Sequence, residues 1–422
     1  MSTQERSAEA AQAQLAPVQT RTVRVLVTSQ VLGGVGVASG IAVGGLLAEQ
    51  VSGSTSLAGF AQTFTVLGAA LLALPLARAA DRLGRRGALA LGYGLGLLGA
   101  ALAVVAGVVS SFPLLLVAAA LFGGGTASNL QARYAATDAS SAATRGRALS
   151  VVVWATTIGA VAGPNLSGVG GRLGVSLGLP SLVGPYLFSV VSFLTAALAV
   201  GLLLRPDPLH AARAAHQAHG VVPHRPRPSL RETLRTVNAA PRARLGMAAI
   251  AVGHAVMVGV MVMTPVHLNH HGASLTVVGV VISVHVAGMY ALSPVMGWLS
   301  DRFGRVQTIV TGLAVLAVSV VLGALASPQD HLAVGVSLFL LGLGWSGTLV
   351  GGSTLLSESV PDAARTGVQG ASDLVMGLAG AAAGALAGPV LATGGYPVLT
   401  LAAGALLVPV AVLALRRTEA PA

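Results

Sequence analysis

The stretch GWLSDRFGR at residues 297–305 decides the fold, because its charged half has an earlier copy, DRLGR, at residues 81–85. The aspartates of the two copies are 220 positions apart (301 − 81), and the same spacing separates Asp138 from Glu358 and Arg145 from Arg365. Only 9% of the 422 residues are charged, so three charged positions that recur at one spacing are hard to obtain by chance. The repeat predicts two homologous halves.

The composition indicates that both halves lie within a lipid bilayer. Hydrophobic residues make up 54% of the chain and 9% are charged, whereas soluble chains carry about 25% charged residues. Twelve apolar runs are each long enough to cross a bilayer as a helix. They span 24–49, 57–80, 87–109, 112–133, 147–170, 182–204, 245–267, 275–299, 306–326, 332–354, 367–391 and 396–415. We therefore predict an all-α polytopic membrane protein with twelve transmembrane helices in two six-helix pseudo-symmetric bundles.

The distribution of basic residues predicts the orientation of the spans. All 24 basic residues are arginines, and 23 of them lie in the N-terminal arm, the central connection, the C-terminal end and the loops on that same side. Only Arg172 lies in a loop on the opposite side. By the positive-inside rule, both termini and the central connection are cytoplasmic. The net charge of +11 is thus a topology signal rather than a nucleic-acid footprint, and we predict a multi-pass protein of a prokaryotic inner (plasma) membrane.

The spans and the repeat together predict the domain organisation. A cytoplasmic arm at 1–23 has no apolar core typical of a signal peptide, and a six-helix bundle follows at 24–204. Residues 205–244 form a cytoplasmic linker, of which 206–228 are expected to be flexible and solvated. Ser229-x-x-Glu232 resembles a capping box that opens a short interfacial helix along the membrane surface. The second six-helix bundle covers 245–417, and 418–422 form a tail.

The paired loops resemble the signature G-x-x-x-D-R-x-G-R-R of the major facilitator superfamily. Ala77 replaces the leading glycine of the first copy and Arg86 completes it, while the second copy lacks only the final basic residue. The resemblance covers nearly the whole chain and implies a cytoplasmic charge cluster that latches the two halves and is released as a carrier rocks. The alternative is a loop that only sets topology. The expected gate residues are Asp81, Arg82, Gly84, Arg85, Arg86, Asp138, Arg145, Asp301, Arg302, Gly304, Arg305, Glu358 and Arg365.

A small-residue motif occurs once in each half. Gly159-x-x-x-Gly163-Pro164 in span five is echoed 225 positions later (384 − 159) by Gly384-x-x-x-Gly388-Pro389 in span eleven. Small residues four apart let membrane helices approach closely, and proline bends them. The first copy also resembles the antiporter motif of drug-proton exchangers, which favours export. Many proton-coupled relatives carry an arginine within span four, but Leu114 to Gln131 contain no charge.

Ionisable residues inside the spans are the candidates for proton coupling, because a charge at a helix centre costs about 2.5–3.5 kcal/mol. Asp373 is the one carboxylate clearly inside a span, and His254 and His285 reach near mid-depth of spans seven and eight. The three could relay protons or, if they converge, bind a divalent cation. The alternative for each histidine is a hydrogen bond to a neighbouring carbonyl.

Other polar residues have more general interpretations. His267, His270 and His271 are expected at the outer mouth, and metal capture there competes with simple solvation. His210, His216, His219 and His224 lie in the linker, where nothing fixes a metal geometry. The candidate cavity-lining residues are Gln30, Gln62, Asn129, Gln131, Tyr134 and Trp154.

The sequence predicts a carrier rather than an enzyme. No Walker-type phosphate loop is present, so a secondary gradient is the expected energy source and no cofactor is expected. We predict alternating-access efflux of small organic, drug-like or metabolite compounds coupled to protons, by a monomer in the lipid bilayer. A divalent-metal or polar-metabolite carrier that uses His254, His285 and Asp373 is the first alternative. A non-transporting membrane receptor or scaffold is the second.

Overall fold

The computed structural model describes residues 3–140, 145–218, 230–327 and 329–418. The helices before the central connection are α1 Thr3–Ser52, α2 Phe60–Val108, α3 Phe112–Asp138, α4 Arg145–Asn165, α5 Ser167–Ser176 and α6 Gly184–Leu203. Two helices, α7 Pro208–Ala218 and α8 Leu230–Ala239, form the connection. They are followed by α9 Pro241–His270, α10 Leu275–Tyr290, α11 Ser293–Phe303, α12 Arg305–Leu325, α13 His331–Glu358, α14 Asp362–Ala405 and α15 Leu407–Thr418. Short 3₁₀ turns occur at Thr55–Leu57 and Ser181–Val183, and the described residues contain no strand.

Two of the long helices are each interrupted by one glycine. Gly84 in α2 has φ 77° and Gly395 in α14 has φ 71°, a region that glycine adopts without the steric cost of a Cβ. The apolar segments that contain them, Thr55–Val108 and Gly367–Leu415, have 54 and 49 residues, and about 20 residues suffice for one crossing. Ten candidate apolar segments in the described chain therefore provide twelve crossings, and the predicted helical membrane fold is confirmed.

Two further predicted spans are each built from a pair of helices. Span five consists of α4 and α5, which meet at Leu166, and span eight consists of α10 and α11, which meet at Ala291 and Leu292. Pro164 lies two residues before the first junction and Pro294 two residues after the second. A proline inside a membrane helix removes one backbone hydrogen bond, which accounts for both interruptions.

Contact clustering divides the chain into two compact units. The first comprises residues 1–40, 68–109 and 113–225, and the second comprises 41–67, 110–112 and 226–422. The second unit therefore includes the end of α1 and the start of α2, which pack with α9 and α14. The predicted boundaries at 24–204 and 245–417 follow from the repeat, and they stay a prediction.

The central connection is more ordered than predicted, and the N-terminal arm packs against it. Residues of the arm form the first turns of α1, and Leu15 of this helix is buried with Ala139, Ala212 and Ala215. The expectation of a flexible linker is wrong for 208–218, because Ala212 and Ala215 give α7 an apolar face that it buries against Leu15. Ser229, His219 and His224 lie outside the described residues, as does the side chain of His216.

Candidate functional site

The first charged loop is held by an ion pair between two helices of the first unit. Arg85 directly follows the break at Gly84, and its Nε donates to Asp138 Oδ2 at 2.6 Å while Nη2 donates to Oδ1 at 3.3 Å. Asp138 is the last residue of α3. Both side chains are only about 15% exposed, at 16% and 14%. The Arg85 guanidinium thus ties the C-terminal end of α3 to the part of α2 that follows the break at Gly84.

The second charged loop repeats this arrangement in the second unit. Gly304 has φ 103°, and Arg305 after it donates from Nη2 to Glu358 Oε1 at 2.9 Å and from Nη1 to Asp301 Oδ1 at 2.9 Å. Glu358 is the last residue of α13. Both arginine–acid pairs join residues 53 positions apart in sequence. The predicted repeat therefore places the same interaction at the same place in each half.

Asp207 and Arg213 belong to the first loop, although sequence reasoning missed both. The Asp207 carboxylate accepts from the backbone N–H of Arg86 at 2.7 Å through Oδ2, and from Leu209 and His210 N–H at 3.0 and 3.2 Å through Oδ1. Arg213 of α7 donates from Nη2 to Asp81 Oδ1 at 2.7 Å. The Asp207-Pro208 pair is an N-cap followed by proline at the first helical position, a recognisable helix start, so its signal was present in the sequence.

The roles expected of the other gate residues divide accordingly. At this loop, backbone amides donate to the carboxylate of Asp207 and not to that of Asp81. The side chain of Asp81 is 68% exposed beside Arg213. Arg82 and Arg302 are exposed, and Arg365 donates from Nε to Ser357 O at 2.9 Å. The side chain of Arg145 lies outside the described residues. A latch between the halves stays a prediction, since each of these contacts joins residues of one unit.

A cluster of uncharged polar side chains joins four helices of the first unit. Gln30 Nε2 donates to Thr156 Oγ1 at 2.9 Å and to Asn129 O at 3.2 Å, and the Tyr93 hydroxyl donates to Asn129 Oδ1 at 2.9 Å. Gln30 is 1% exposed and Tyr93 is fully buried. Two predicted cavity residues therefore meet here, together with Tyr93 and Thr156, which sequence reasoning did not select because one polar residue per helix gives no periodicity.

The other predicted cavity residues do not join this cluster. Gln131 is 7% exposed and donates from Nε2 to Ala73 O at 3.2 Å. Tyr134 and Trp154 are exposed, at 48% and 61% of their surface. Gln62 is half-buried and belongs to the second unit. The six residues are thus not one set.

His254 is hydrogen-bonded to a tryptophan inside the second unit. Trp345 Nε1 donates to His254 Nδ1 at 3.0 Å, and because the indole nitrogen can only donate, Nδ1 is the acceptor and Nε2 carries the proton of the neutral ring. This ring lies against α14, where a Cβ at Gly380 would come within 2.9 Å of His254 Nε2. The protonated edge of the imidazole therefore faces the backbone of α14.

Asp373 lies on the same side of α14 as that glycine. It precedes Gly380 by seven residues, about two helical turns, so both positions share a face. Its side chain is exposed rather than buried, which differs from the burial that its depth in the span suggested. The side chain therefore lies on the surface of the second unit rather than in its interior.

His285 has a separate environment. Its Nδ1 is 2.8 Å from Leu338 O, and the ring is 1% exposed. This contact matches the alternative interpretation of His285, a hydrogen bond to a neighbouring carbonyl. No group of three His, Cys, Asp or Glu side chains within the described ranges is arranged to hold a metal ion. The alternative in which Asp373, His254 and His285 converge on a cation therefore finds no support in the described part of the chain.

The histidines at the far end of α9 contact one another and the end of α1. His267 stacks on Tyr396 with ring centroids 4.2 Å apart and lies 4.6 Å from the ring of His271. His270 Nε2 pairs with Glu49 Oε1 at 2.8 Å, and Glu49 also accepts from Thr55 Oγ1. His267 is 7% exposed, so the prediction of solvated loop histidines fits His270 better than His267. In this structure Glu49 and His270 tie α1 to α9.

The two small-residue motifs pack against different helices. In the first unit, Gly159 and Gly163 of α4 lie against α1, where a Cβ at Gly163 would be 2.9 Å from Ser39 N. In the second unit, Gly384 and Gly388 of α14 lie against the segment just before α2, at Gly59 and at Ser56 of the 3₁₀ turn. The Thr63 hydroxyl of α2 donates to Ala381 O at 3.0 Å in the same contact. The first motif thus packs helices of one repeat half, and the second packs α14 on a helix of the other half.

The chain is similar to known membrane transporters over its whole length. The family model for the Major Facilitator Superfamily matches residues 25–275 and 247–422. The uncharacterized MFS-type transporter YdeG of Bacillus subtilis strain 168 is 39% identical over 398 residues, which are 93% of this chain and 91% of that protein. The riboflavin transporter RfnT of Brucella anthropi is 30% identical over 381 residues, 89% of this chain and 90% of that protein. Among solved structures, the nucleoside transporter NupG superposes with a TM-score of 0.75 at 12% identity, covering 94% of this chain and 100% of NupG.

Proposed function

The chain belongs to the major facilitator superfamily, and we propose that it exports small organic compounds in exchange for protons. The family supports secondary transport by alternating access, in which a substrate site is exposed to each side of the membrane in turn. The coupling ion, the direction and the substrate class are our proposal. We further propose that it resides in a bacterial plasma membrane with both termini in the cytoplasm.

The arrangement of Asp373 and His254 carries the proposal of proton coupling. Asp373 is a carboxylate inside a span, where a permanent charge is costly and a protonatable group is commonly functional. Its side chain lies on the surface of the second unit, and we propose that protons reach it there. The Nε2 edge of His254 faces α14 two turns further along the same face. We propose that Asp373 takes up the proton and that His254 provides a second protonation site when its Nδ1 is released from the Trp345 indole N–H.

Export is supported by the first small-residue motif. Gly159 and Gly163 let α4 approach the backbone of α1, and Pro164 lies just before α4 ends. This glycine and proline sequence in span five is the one that resembles the antiporter motif of drug-proton exchangers. A close, glycine-mediated contact packs α4 and α1 tightly. The two helices are therefore expected to move together during transport.

A metabolite is favoured over a metal ion as the substrate. The divalent-metal alternative required three ligands to converge, and no such group exists in the described chain. The similarity to a riboflavin transporter over about 90% of both chains supports a small organic metabolite instead.

Transport in proteoliposomes tests the proposal. Riboflavin and the lipophilic cation ethidium serve as fluorescent probes, and an imposed pH gradient should drive accumulation of at least one of them. Asp373→Asn should abolish accumulation driven by the pH gradient while the melting temperature stays close to that of the wild type. Asp330→Asn is the matched control, because Asp330 only caps α13 through Ala333 N–H. Uphill transport retained by Asp373→Asn would exclude Asp373 as the proton carrier.

A further inference from the structure

The helix α8 in the central connection has an unusual distribution of side chains for so short an element. Its residues Thr233 and Val237 are buried, at 3% exposure each, and Val237 belongs to an apolar cluster with Met247, Leu356 and Val368. This contact with α9 and α14 fixes how α8 is rotated about its own axis. The side chains on its other faces are consequently fixed in direction as well.

The faces that α8 does not bury are apolar on one side and basic on the next. At 100° per residue, Leu230 and Leu234 follow directly around the helix from the buried face, and Arg231 and Arg235 follow the leucines. Leu230 is 50% exposed and Leu234 is 36% exposed, and both arginines are exposed. Glu232 lies on the far side of the helix from the leucines. The surface therefore changes from apolar to basic in about a third of a turn.

The position of α8 places this surface at the edge of the membrane. Only Ala240 separates the end of α8 from Pro241, the first residue of the membrane-spanning α9. Two further exposed arginines, Arg242 and Arg244, lie in the first turn of α9. Four arginines and one glutamate thus occupy residues 230–244. A short amphipathic helix beside a span, with leucines next to arginines, has the composition of an interfacial helix.

We propose that this surface, formed by Leu230, Arg231, Leu234 and Arg235, binds anionic phospholipid headgroups of the leaflet it borders. The leucines lie at the level of the upper acyl chains, and the guanidinium groups contact phosphates, for which their planar donors are suited. Each basic residue close to an anionic leaflet strengthens such binding, and the attraction falls off within about 10 Å at moderate salt. The proposal depends on the membrane fold and not on the substrate or the coupling ion.

The occupant is a lipid leaflet rather than free phosphate or an acidic protein. The exposed leucines have no role in binding a soluble phosphate, and they are adjacent to the arginines on a helix joined directly to a span. An acidic protein would have to enter the headgroup region to cover the same residues. The lipid explains both the apolar and the basic side chains with one partner.

Site-directed spin labelling in nanodiscs tests the proposal on the full chain. The sequence contains no cysteine, so Leu234→Cys provides a unique attachment site. The probe lipids are phosphatidylcholine alone and phosphatidylcholine with phosphatidylglycerol. We expect oxygen accessibility to rise and accessibility to a water-soluble nickel complex to fall in the anionic discs. The shift should shrink severalfold in Arg231→Gln/Arg235→Gln, because two of the four arginines are then neutral.

Two controls separate lipid binding from other causes. Glu232→Gln removes a charge from the opposite side of α8 and should leave the shift at least as large as in the wild type. Glycerol phosphate added to discs of phosphatidylcholine alone should not reproduce the shift. The proposal is overturned if the label reports the same depth in both lipid mixtures, if the double variant keeps the full shift, or if glycerol phosphate or an acidic peptide is as effective as the anionic leaflet.

Discussion

At the scale of single residues, the two glycines of the charged loops explain why the motif tolerates no side chain at that position. Gly84 and Gly304 have φ values of 77° and 103° with ψ values of 177° and 161°, a region that is essentially restricted to glycine and that costs other residues about 1–3 kcal/mol. At Gly84 a Cβ would also collide with the Asp207 carboxylate. Gly84 therefore has two functions. It adopts a backbone conformation that other residues avoid, and its missing side chain leaves space for the Asp207 carboxylate.

The two arginine–acid pairs differ in their exposure, and this difference predicts different coupling energies. Arg85 and Asp138 are 16% and 14% exposed, whereas Arg305 and Glu358 are 23% and 50% exposed. Exposed pairs contribute about 0.2–1 kcal/mol because water screens them. We expect the coupling of Arg85 with Asp138 to be larger, about 1–2 kcal/mol, as for interacting residues in one network.

Double-mutant cycles in detergent measure both couplings. Arg85→Gln and Asp138→Asn form one cycle, and Arg305→Gln and Glu358→Gln form the other, with stability taken from thermal melts. Each cycle is the control for the other, because the pairs occupy equivalent positions of the repeat. Equal coupling energies, or a larger one for Arg305 with Glu358, would contradict the argument from exposure.

At the scale of elements, α7 is a helix that packs on the first charged loop. Asp207 caps its N-terminus and accepts a hydrogen bond from Arg86 N–H, and Arg213 pairs with Asp81. A linker helix thereby supports the turn between spans two and three. The second loop uses a residue of its own element instead, since Gln307 occupies the space next to Gly304.

Removal of the shared carboxylate should loosen both elements that it joins. Asp207→Ala leaves the amides of Arg86, Leu209 and His210 without this acceptor, and loss of a cap costs about 0.5–2 kcal/mol. Hydrogen exchange followed by mass spectrometry should show faster exchange in peptides that cover 85–88 and 208–213. Asp330→Ala removes the equivalent cap of α13 and should leave those peptides unchanged. Wild-type protection in Asp207→Ala would show that α7 is held by its apolar face alone.

At the scale of the whole molecule, the asymmetric distribution of arginine predicts which surface faces the cytoplasm. The chain contains no cysteine, so single replacements report topology without a background. Ala214→Cys in α7 and Ser176→Cys at the end of α5 both replace exposed residues. In intact cells, a membrane-impermeant maleimide should label the cysteine at 176, and the cysteine at 214 only after lysis. The reverse pattern would overturn the predicted orientation.

The sequence by itself determined the features that depend on local pattern or on the repeat. Apolar runs gave the twelve spans, since a helix in lipid must satisfy its own backbone groups. The 220-residue spacing paired Asp138 with Glu358 as equivalent positions, and the structure shows each acid on the arginine of its own loop. The start of α7 at Asp207-Pro208 is also a local sequence signal. The polar and proline-rich composition of the surrounding linker predicted flexibility there instead.

Only the tertiary structure decided which distant residues meet. It placed His254 on Trp345 and His285 on Leu338, it left Asp373 exposed, and it packed Gly384 of α14 against α2 rather than within its own repeat half. The physical reason is that a nearly uniform apolar helix has no single preferred face. Its neighbours are selected by close packing of small residues and by satisfaction of a few polar groups, and both depend on helices that are far apart in sequence.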